Sequence, residues 1–190
     1  NSFNCNNAVF KIDFQLANVS AIATAAPNDT ICVGQSVSFN NSSINANTYT
    51  WDFGDGSPLD TNTAPTHTYT SVGTYTVTLI AIDSTSCMFS DTTTLSIVVI
   101  APPVVFLGND TTLCGSINIT LNAGNPGMVY LWSTGATTQT INVTSSGQYW
   151  VIVDNNHCTG TDTINLLLVP NLTLGNDTTL CMGQQVILSG

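Results

Sequence analysis

The octapeptide LGNDTTLC occurs twice, at Leu107–Cys114 and at Leu174–Cys181, with a period of 67 residues. A looser third copy, Asn28-Asp29-Thr30-Ile31-Cys32-Val33-Gly34-Gln35, matches Asn176–Gln184 once one residue is inserted. A repeat of this length sets the scale of folding. Each copy must close its own small core, so the 190-residue chain is an array of modules rather than one large domain. Modules begin near residues 18, 102 and 170.

The middles of the modules align too. Trp51 follows Cys32 by 19 residues, and Trp132 follows Cys114 by 18. Gly73-Thr74-Tyr75 answers to Gly147-Gln148-Tyr149, and each of these strands leads to a further cysteine, Cys87 or Cys158. Around each Trp and Tyr the apolar residues alternate with polar ones, the period of a half-buried strand. The run Tyr49–Asp52 stops at Gly54-Asp55-Gly56-Ser57-Pro58, a cluster of turn formers. Thr, Ser and Asn supply 68 of the 190 residues, a bias toward strands and turns. No window shows helical apolar spacing with caps, so the expectation is all-β with no helix.

The first module carries W-x-F-G-D-G at Trp51–Gly56, then H-x-Y at His67–Tyr69, then G-x-Y-x-V-x-L at Gly73–Leu79. In that order these pieces resemble the PKD domain, an immunoglobulin-like sandwich. The resemblance covers roughly residues 18–101 and implies a buried core motif of Trp51, Phe53, Tyr69 and Tyr75, with Trp132 and Tyr149 as counterparts in the second module. That module, 102–169, has Trp132-Ser133-Thr134-Gly135 in place of FGDG. It resembles the shorter PKD-like or immunoglobulin-like repeats of large Bacteroidetes surface adhesins. Residues 1–17 read as the end of a preceding repeat and 170–190 as the start of a following one, so the chain reads as a window on a longer array. The whole is expected to be a string of tandem sandwiches, with stiff linkers at Ala101-Pro102-Pro103 and Val169-Pro170. The apolar stretch Leu95–Gly108 is broken by Pro102-Pro103 and is too short to span a bilayer, so it reads as two buried strands flanking a linker.

Six cysteines allow fifteen pairings. The repeat suggests Cys32–Cys87 and Cys114–Cys158, one bridge inside each module, with the partners of Cys5 and Cys181 beyond the chain. Disulfides of this kind belong to an oxidising, extracellular compartment.

The chain has one lysine, Lys11, with no arginine and no glutamate, and its eleven acidic residues are all Asp. A net charge of −10 argues against nucleic acid and against anionic membranes. It also leaves few acid–base constellations, so no catalytic residue is expected and His67 reads as structural. No cofactor is required by this reading. Asp52, Asp55 and Asp60 lie around one turn and are the candidate calcium ligands; their alternative is ordinary turn chemistry. The recurrent Asn-Asp-Thr reads as a turn or junction hydrogen bond. The Asp-Thr pairs also resemble the Bacteroidetes O-glycosylation pattern, which makes Thr30, Thr111, Thr163 and Thr178 candidate glycan acceptors.

Functionally, the resemblance implies a non-enzymatic stalk or filament segment of a bacterial cell-surface adhesin, type IX secreted, serving attachment, gliding or cell–cell contact. With so few charges to guard its edge strands, the array is expected to associate laterally with copies of itself into a fibre. The alternatives are a carbohydrate-binding module, for which Tyr49, Tyr130 and Trp150 are the aromatics to inspect, and an accessory region of a secreted hydrolase.

Overall fold

The computed structural model describes residues 18–85, 89–115, 118–169, 171–173 and 179–181, the last two segments as backbone. Cys5, Cys87 and Thr178 lie outside the described residues. Among the described residues there are fifteen strands and no helix. The chain divides into two compact units, Asn1–Ala101 and Pro102–Gly190.

In the first unit, β1 (Ala23–Ala26), β3 (Ser36–Asn41) and β5 (Thr66–Thr68) form one sheet in the order β1-β3-β5. The second sheet is β2-β7-β6-β4, built from β2 (Thr30–Cys32), β4 (Thr48–Asp52), β6 (Gly73–Asp83) and β7 (Phe89–Ile100). Its neighbours are antiparallel except β2, which runs parallel to β7 with Cys32 opposite Ile100. Alternation along each strand sends one face inward. Val37 and Phe39 from one sheet meet Trp51, Val77, Leu79, Ile97 and Val99 from the other in a single apolar cluster. A buried sandwich centre of this kind is the main source of stability in a small all-β domain.

The sandwich of the second unit repeats the plan with six strands among the described residues, against seven in the first. One sheet is β10-β12-β13-β8, from β8 (Thr111–Cys114), β10 (Val129–Trp132), β12 (Gly147–Asp154) and β13 (Thr159–Val169). The other is β9 (Ile119–Asn122) paired with β11 (Thr140–Val143). Here β8 runs parallel to β13, with Cys114 opposite Val169. Trp132, Tyr149, Val151, Val153, Ile164 and Leu166 pack against Leu121, Ile141 and Val143. The short pair β14 (Asn171–Thr173) and β15 (Thr179–Cys181) follows.

The stretch Leu95–Gly108 differs from its reading as two buried strands. Leu95–Ile100 lies in β7, but the residues after Ala101 make no ladder, and Val104 and Phe106 are exposed. The two prolines lack the N–H groups a ladder needs. The segment is fastened by other means: Asp162 Oδ2 accepts from the Leu107 N–H at 2.7 Å, and Asn125 Nδ2 donates to the Val104 carbonyl at 2.8 Å.

The proposed pairing of Cys114 with Cys158 is also corrected. Cys32, Cys114 and Cys158 are all disulfide-bonded. Cys158 precedes Thr159 at one end of β13, whereas Cys114 sits opposite Val169 at the other end. Ten strand steps separate the two ends by about 33 Å, against the roughly 7 Å that a disulfide tolerates between Cα atoms. The Cys32–Cys87 pairing involves Cys87, which lies outside the described residues. Cys32 itself lies opposite Ile100.

Candidate functional site

Two regions hold the side chains with chemistry to offer. The first is the turn after β4 in the first unit. Gly54 has φ +76°, and a Cβ there would collide with the carbonyl oxygen of Thr76. Only glycine tolerates both the left-handed backbone and that approach. The turn folds Asp60 back onto Trp51, whose backbone exchanges two hydrogen bonds with it at 2.7 and 3.0 Å. The Trp51 indole N–H donates to the Asn62 carbonyl at 3.1 Å, so a fully buried ring keeps its one polar atom satisfied.

His67 lies on β5 beneath this turn. Its ring stacks on Phe53 with centroids 4.1 Å apart and meets Tyr69 edge-on at 4.7 Å. Tyr69 in turn stacks on the half-buried Tyr75 at 4.4 Å and donates its hydroxyl proton to the Phe53 carbonyl at 3.1 Å. Burial, with Asp55 and Tyr75 nearby, pushes the Tyr69 phenol well above its ordinary range. His67 Nε2 lies 2.7 Å from Asp55 Oδ2, and Ser57 donates to Asp55 Oδ1 from both its N–H, at 3.0 Å, and its hydroxyl, at 2.6 Å. Partial burial raises the Asp55 carboxyl, but the hydrogen bonds from Ser57 and His67 outweigh it and hold the group at about 2.

Ser, Asp and His therefore meet here, but in an order unsuited to nucleophilic catalysis. A catalytic triad places His between Ser and Asp, so that imidazole takes the hydroxyl proton. In this turn Asp55 is the centre, and the Ser57 hydroxyl donates to a carboxylate too weakly basic to activate it.

The three candidate calcium ligands do not converge. Asp52 Oδ1 accepts from the Gly54 N–H at 2.9 Å, Asp60 Oδ1 from the Asn62 N–H at 2.7 Å, and Asp55 from Ser57. Among the described residues no group of three acidic, His or Cys side chains is placed to hold a metal ion. Each carboxylate instead closes its own Asx turn.

The second region is the outer face of β10-β12-β13. Tyr130 and Trp132 point inward on β10, so the alternation turns Val129 and Leu131 outward. On β12 the same rule exposes Trp150, and 37% of that residue is accessible. Trp150 pairs with Thr163, and Ile152 with Thr161 and Leu131. Trp150, Val151, Ile152, Thr161 and Thr163 line an open groove of about 280 Å³. Of the three aromatics singled out by sequence, Trp150 alone offers its ring. Tyr49 is half-buried with its hydroxyl on the Ala46 carbonyl, and Tyr130 is buried, donating to the carbonyls of Gly124 and Asn125.

Of the glycan-acceptor candidates, Thr163 and Thr111 are exposed, and Thr30 is half-buried within β2. The Asp residues of the repeats act as fasteners. Asp110 accepts from the backbone N–H and the side-chain amide of Asn165, both at 2.8 Å, and these bonds lower its pKa. Asp91 accepts from the Ala21 N–H at 2.8 Å and is lowered by that bond first and by the Thr92 N–H second. Asp91 on β7 and Asp162 on β13 play the same part, each holding a segment that precedes the first strand of its unit. The sequence reading missed this use of Asp91, although Asp91-Thr92 and Asp162-Thr163 stand at the same point of their modules.

Each unit also closes with the same tyrosine. Tyr75 donates its hydroxyl to the Ser71 carbonyl at 2.9 Å, and Tyr149 to the Ser145 carbonyl at 3.0 Å, a tyrosine corner in each. Gly73 and Gly147 lie against the returning rings.

The family model that describes the PKD domain matches residues 18–99. Residues 18–99 of this chain are a PKD domain. Among solved structures, the PKD1 domain of Vibrio anguillarum Epp is 30% identical, over 45% of this chain and 96% of that one, with a TM-score of 0.37. The PKD1 domain from the Vibrio cholerae metalloprotease PrtV is 34% identical, over 43% of this chain and 96% of that one, with a TM-score of 0.35. A carbohydrate-binding-module structure from the β-sandwich superfamily is 27% identical, over 72% of this chain and 58% of that one, with a TM-score of 0.41. PKD and immunoglobulin-like domains are generally non-catalytic modules, typically extracellular, and the bonded cysteines fit that compartment. No helix among the described residues is long and apolar enough to cross a membrane.

Proposed function

We propose that this chain is a non-enzymatic segment of the stalk or filament of a bacterial cell-surface adhesin, of the Bacteroidetes, type IX secreted kind that serves attachment, gliding or cell–cell contact. One observation carries the reading: the PKD domain and the unit after it each have a complete core built on the same plan, a capped Trp and a tyrosine corner. Repetition of self-sufficient sandwiches is how a chain gains length. Electron microscopy of native material from the source cells tests this. Filaments or beaded strings at the cell surface are expected. A compact particle with this array hanging from an enzyme would overturn the reading in favour of an accessory role.

The exposed Trp150 supports a second reading, in which the outer face of the second unit binds carbohydrate. A flat indole flanked by Thr161 and Thr163 hydroxyls suits the apolar face of a sugar ring plus its hydroxyl edge. Binding of the chain to immobilised polysaccharides, abolished by Trp150→Ala, is the expected result. Equal retention of the variant would remove this reading and leave the stalk alone.

A further inference from the structure

We propose that the outer face of β10-β12-β13 takes a neutral, extended, β-linked polysaccharide and rejects acidic ones. This assignment rests on the carbohydrate reading of Trp150 and adds the class of sugar. Trp150 is presented on a fixed backbone. Its carbonyl accepts from the Ser133 N–H at 2.9 Å, its N–H donates to the Ser133 hydroxyl at 3.3 Å, and on the other side it pairs with Thr163. A ring carried on a strand held from both sides loses little freedom when a ligand lands on it.

Polarity rises across the face from β10 to β13, with the indole at the boundary. The exposed Leu131 on β10 lies opposite Ile152 on β12, whereas Thr161 and Thr163 are exposed on β13. Asn165 continues that polar column and accepts from Gln148 Nε2 at 3.2 Å. A pyranose has the same asymmetry, a C–H face that stacks and a hydroxyl edge that hydrogen-bonds. Equatorial substituents and β linkage keep the C–H faces clear and the chain extended. From Gln148 to Ile152 the outward positions of β12 span about 13 Å, four strand steps, which suits a run of sugars rather than one. The groove is open, so the interior of a chain can lie along it. A dry contact with a second copy would instead set apolar residues on both sides of Trp150, and it would bring together two chains that each carry a net charge of −10.

Charge selects against acidic chains. Lys11 is the one lysine, there is no arginine, and Lys11 lies outside the described residues. Asp110 stands beside the polar column, where its carboxylate accepts from the Asn165 N–H and side-chain amide, both at 2.8 Å. A polyanion would meet this carboxylate with no ammonium or guanidinium to pair its own charges. A neutral chain needs none.

Electrophoresis of the full chain through native gels holding mixed-linkage β-glucan, glycogen or alginate at low ionic strength tests the proposal. Retardation by β-glucan alone is expected. Trp150→Ala should weaken it about tenfold or more, the scale of an aromatic anchor. Trp150→Phe should keep part of it, which separates loss of the ring from loss of the fold. Thr163→Lys sets a cation beside the indole and should add retardation by alginate. Retardation of the unmutated chain by alginate would overturn the neutral class while leaving sugar binding in place. Preference for glycogen over β-glucan would overturn the extended, β-linked class in the same way. Indifference to all three polysaccharides would remove the carbohydrate reading itself. Self-association without sugar that disappears in Trp150→Ala would give the face to a second copy and overturn the proposal.

Discussion

The PKD domain and the unit after it solve one problem with loops of different length. In both, a fully buried Trp must satisfy its indole N–H at the end of the sandwich. In the PKD domain the acceptor is the Asn62 carbonyl, eleven residues beyond Trp51; in the second unit it is the Thr138 carbonyl, six residues beyond Trp132, at 2.8 Å. The short loop suffices to cap the ring. The extra residues of the long loop are therefore not needed to close a sandwich, and they build something else: the Gly54 approach to Thr76 and the Phe53–His67–Tyr69–Tyr75 stack held by Asp55. The common plan is the Trp cap and the tyrosine corner, and FGDG is an elaboration of it.

If the two caps are equivalent, Trp51→Ala and Trp132→Ala should each cost about 3–5 kcal/mol, the range for large-to-small changes in a tight core. Chemical denaturation with probes in each unit would show the loss in the mutated unit. A cost at Trp132 near zero would break the equivalence.

Glycine substitutions sharpen the contrast between the loops. Gly54→Ala adds a backbone collision to a left-handed φ and should destabilise the PKD domain by roughly 3 kcal/mol. Gly135 also has a positive φ, +83°, but faces open space, so Gly135→Ala should cost only about 1 kcal/mol. Thermal unfolding of the two variants reads the difference, and equal costs would mean that the Thr76 approach is relaxed away.

The tyrosine corners should behave alike. Tyr75→Phe and Tyr149→Phe each remove one hydroxyl-to-carbonyl bond and should cost about 1 kcal/mol by urea midpoint. A tyrosine that can be replaced without cost would show its corner to be incidental.

The smallest effect is acid sensitivity. Asp55 is held at about 2, below its unfolded value, so its contribution is complete above the unfolded pKa and is lost as pH falls from about 4 toward 2. Solvent screening limits that contribution to at most about 1 kcal/mol. Asp55→Asn should lower the stability of the PKD domain at pH 6 and converge with the unmutated chain near pH 2. A constant difference down to pH 2 would mean that the charge of Asp55 is not what stabilises the turn.

The sheets were legible in the sequence because alternation is a local signal: Trp51, Val77, Leu79, Trp132 and Val151 all face inward as their period requires. The outward placing of Leu131 was legible for the same reason, once Tyr130 and Trp132 are both inside. Cysteine positions along the strands were harder to read. Equivalence between modules puts Cys32 with Cys114, and Cys87 with Cys158, but says nothing of distance along β7 or β13. Only the parallel register of β8 on β13 shows that Cys114 and Cys158 are separated by a strand length. The aspartates at Asp52, Asp55 and Asp60 were read as neighbours from spacing alone, whereas each bonds a backbone N–H two residues ahead.

The central claim is that each module is held by its own core. Hydrogen exchange on the Trp132→Ala chain tests it most directly, because protection is read strand by strand. The account predicts lost protection in β10, β12 and β13 with β4, β6 and β7 unchanged. Loss of protection across both sets of strands would contradict it and make the two units one cooperative fold.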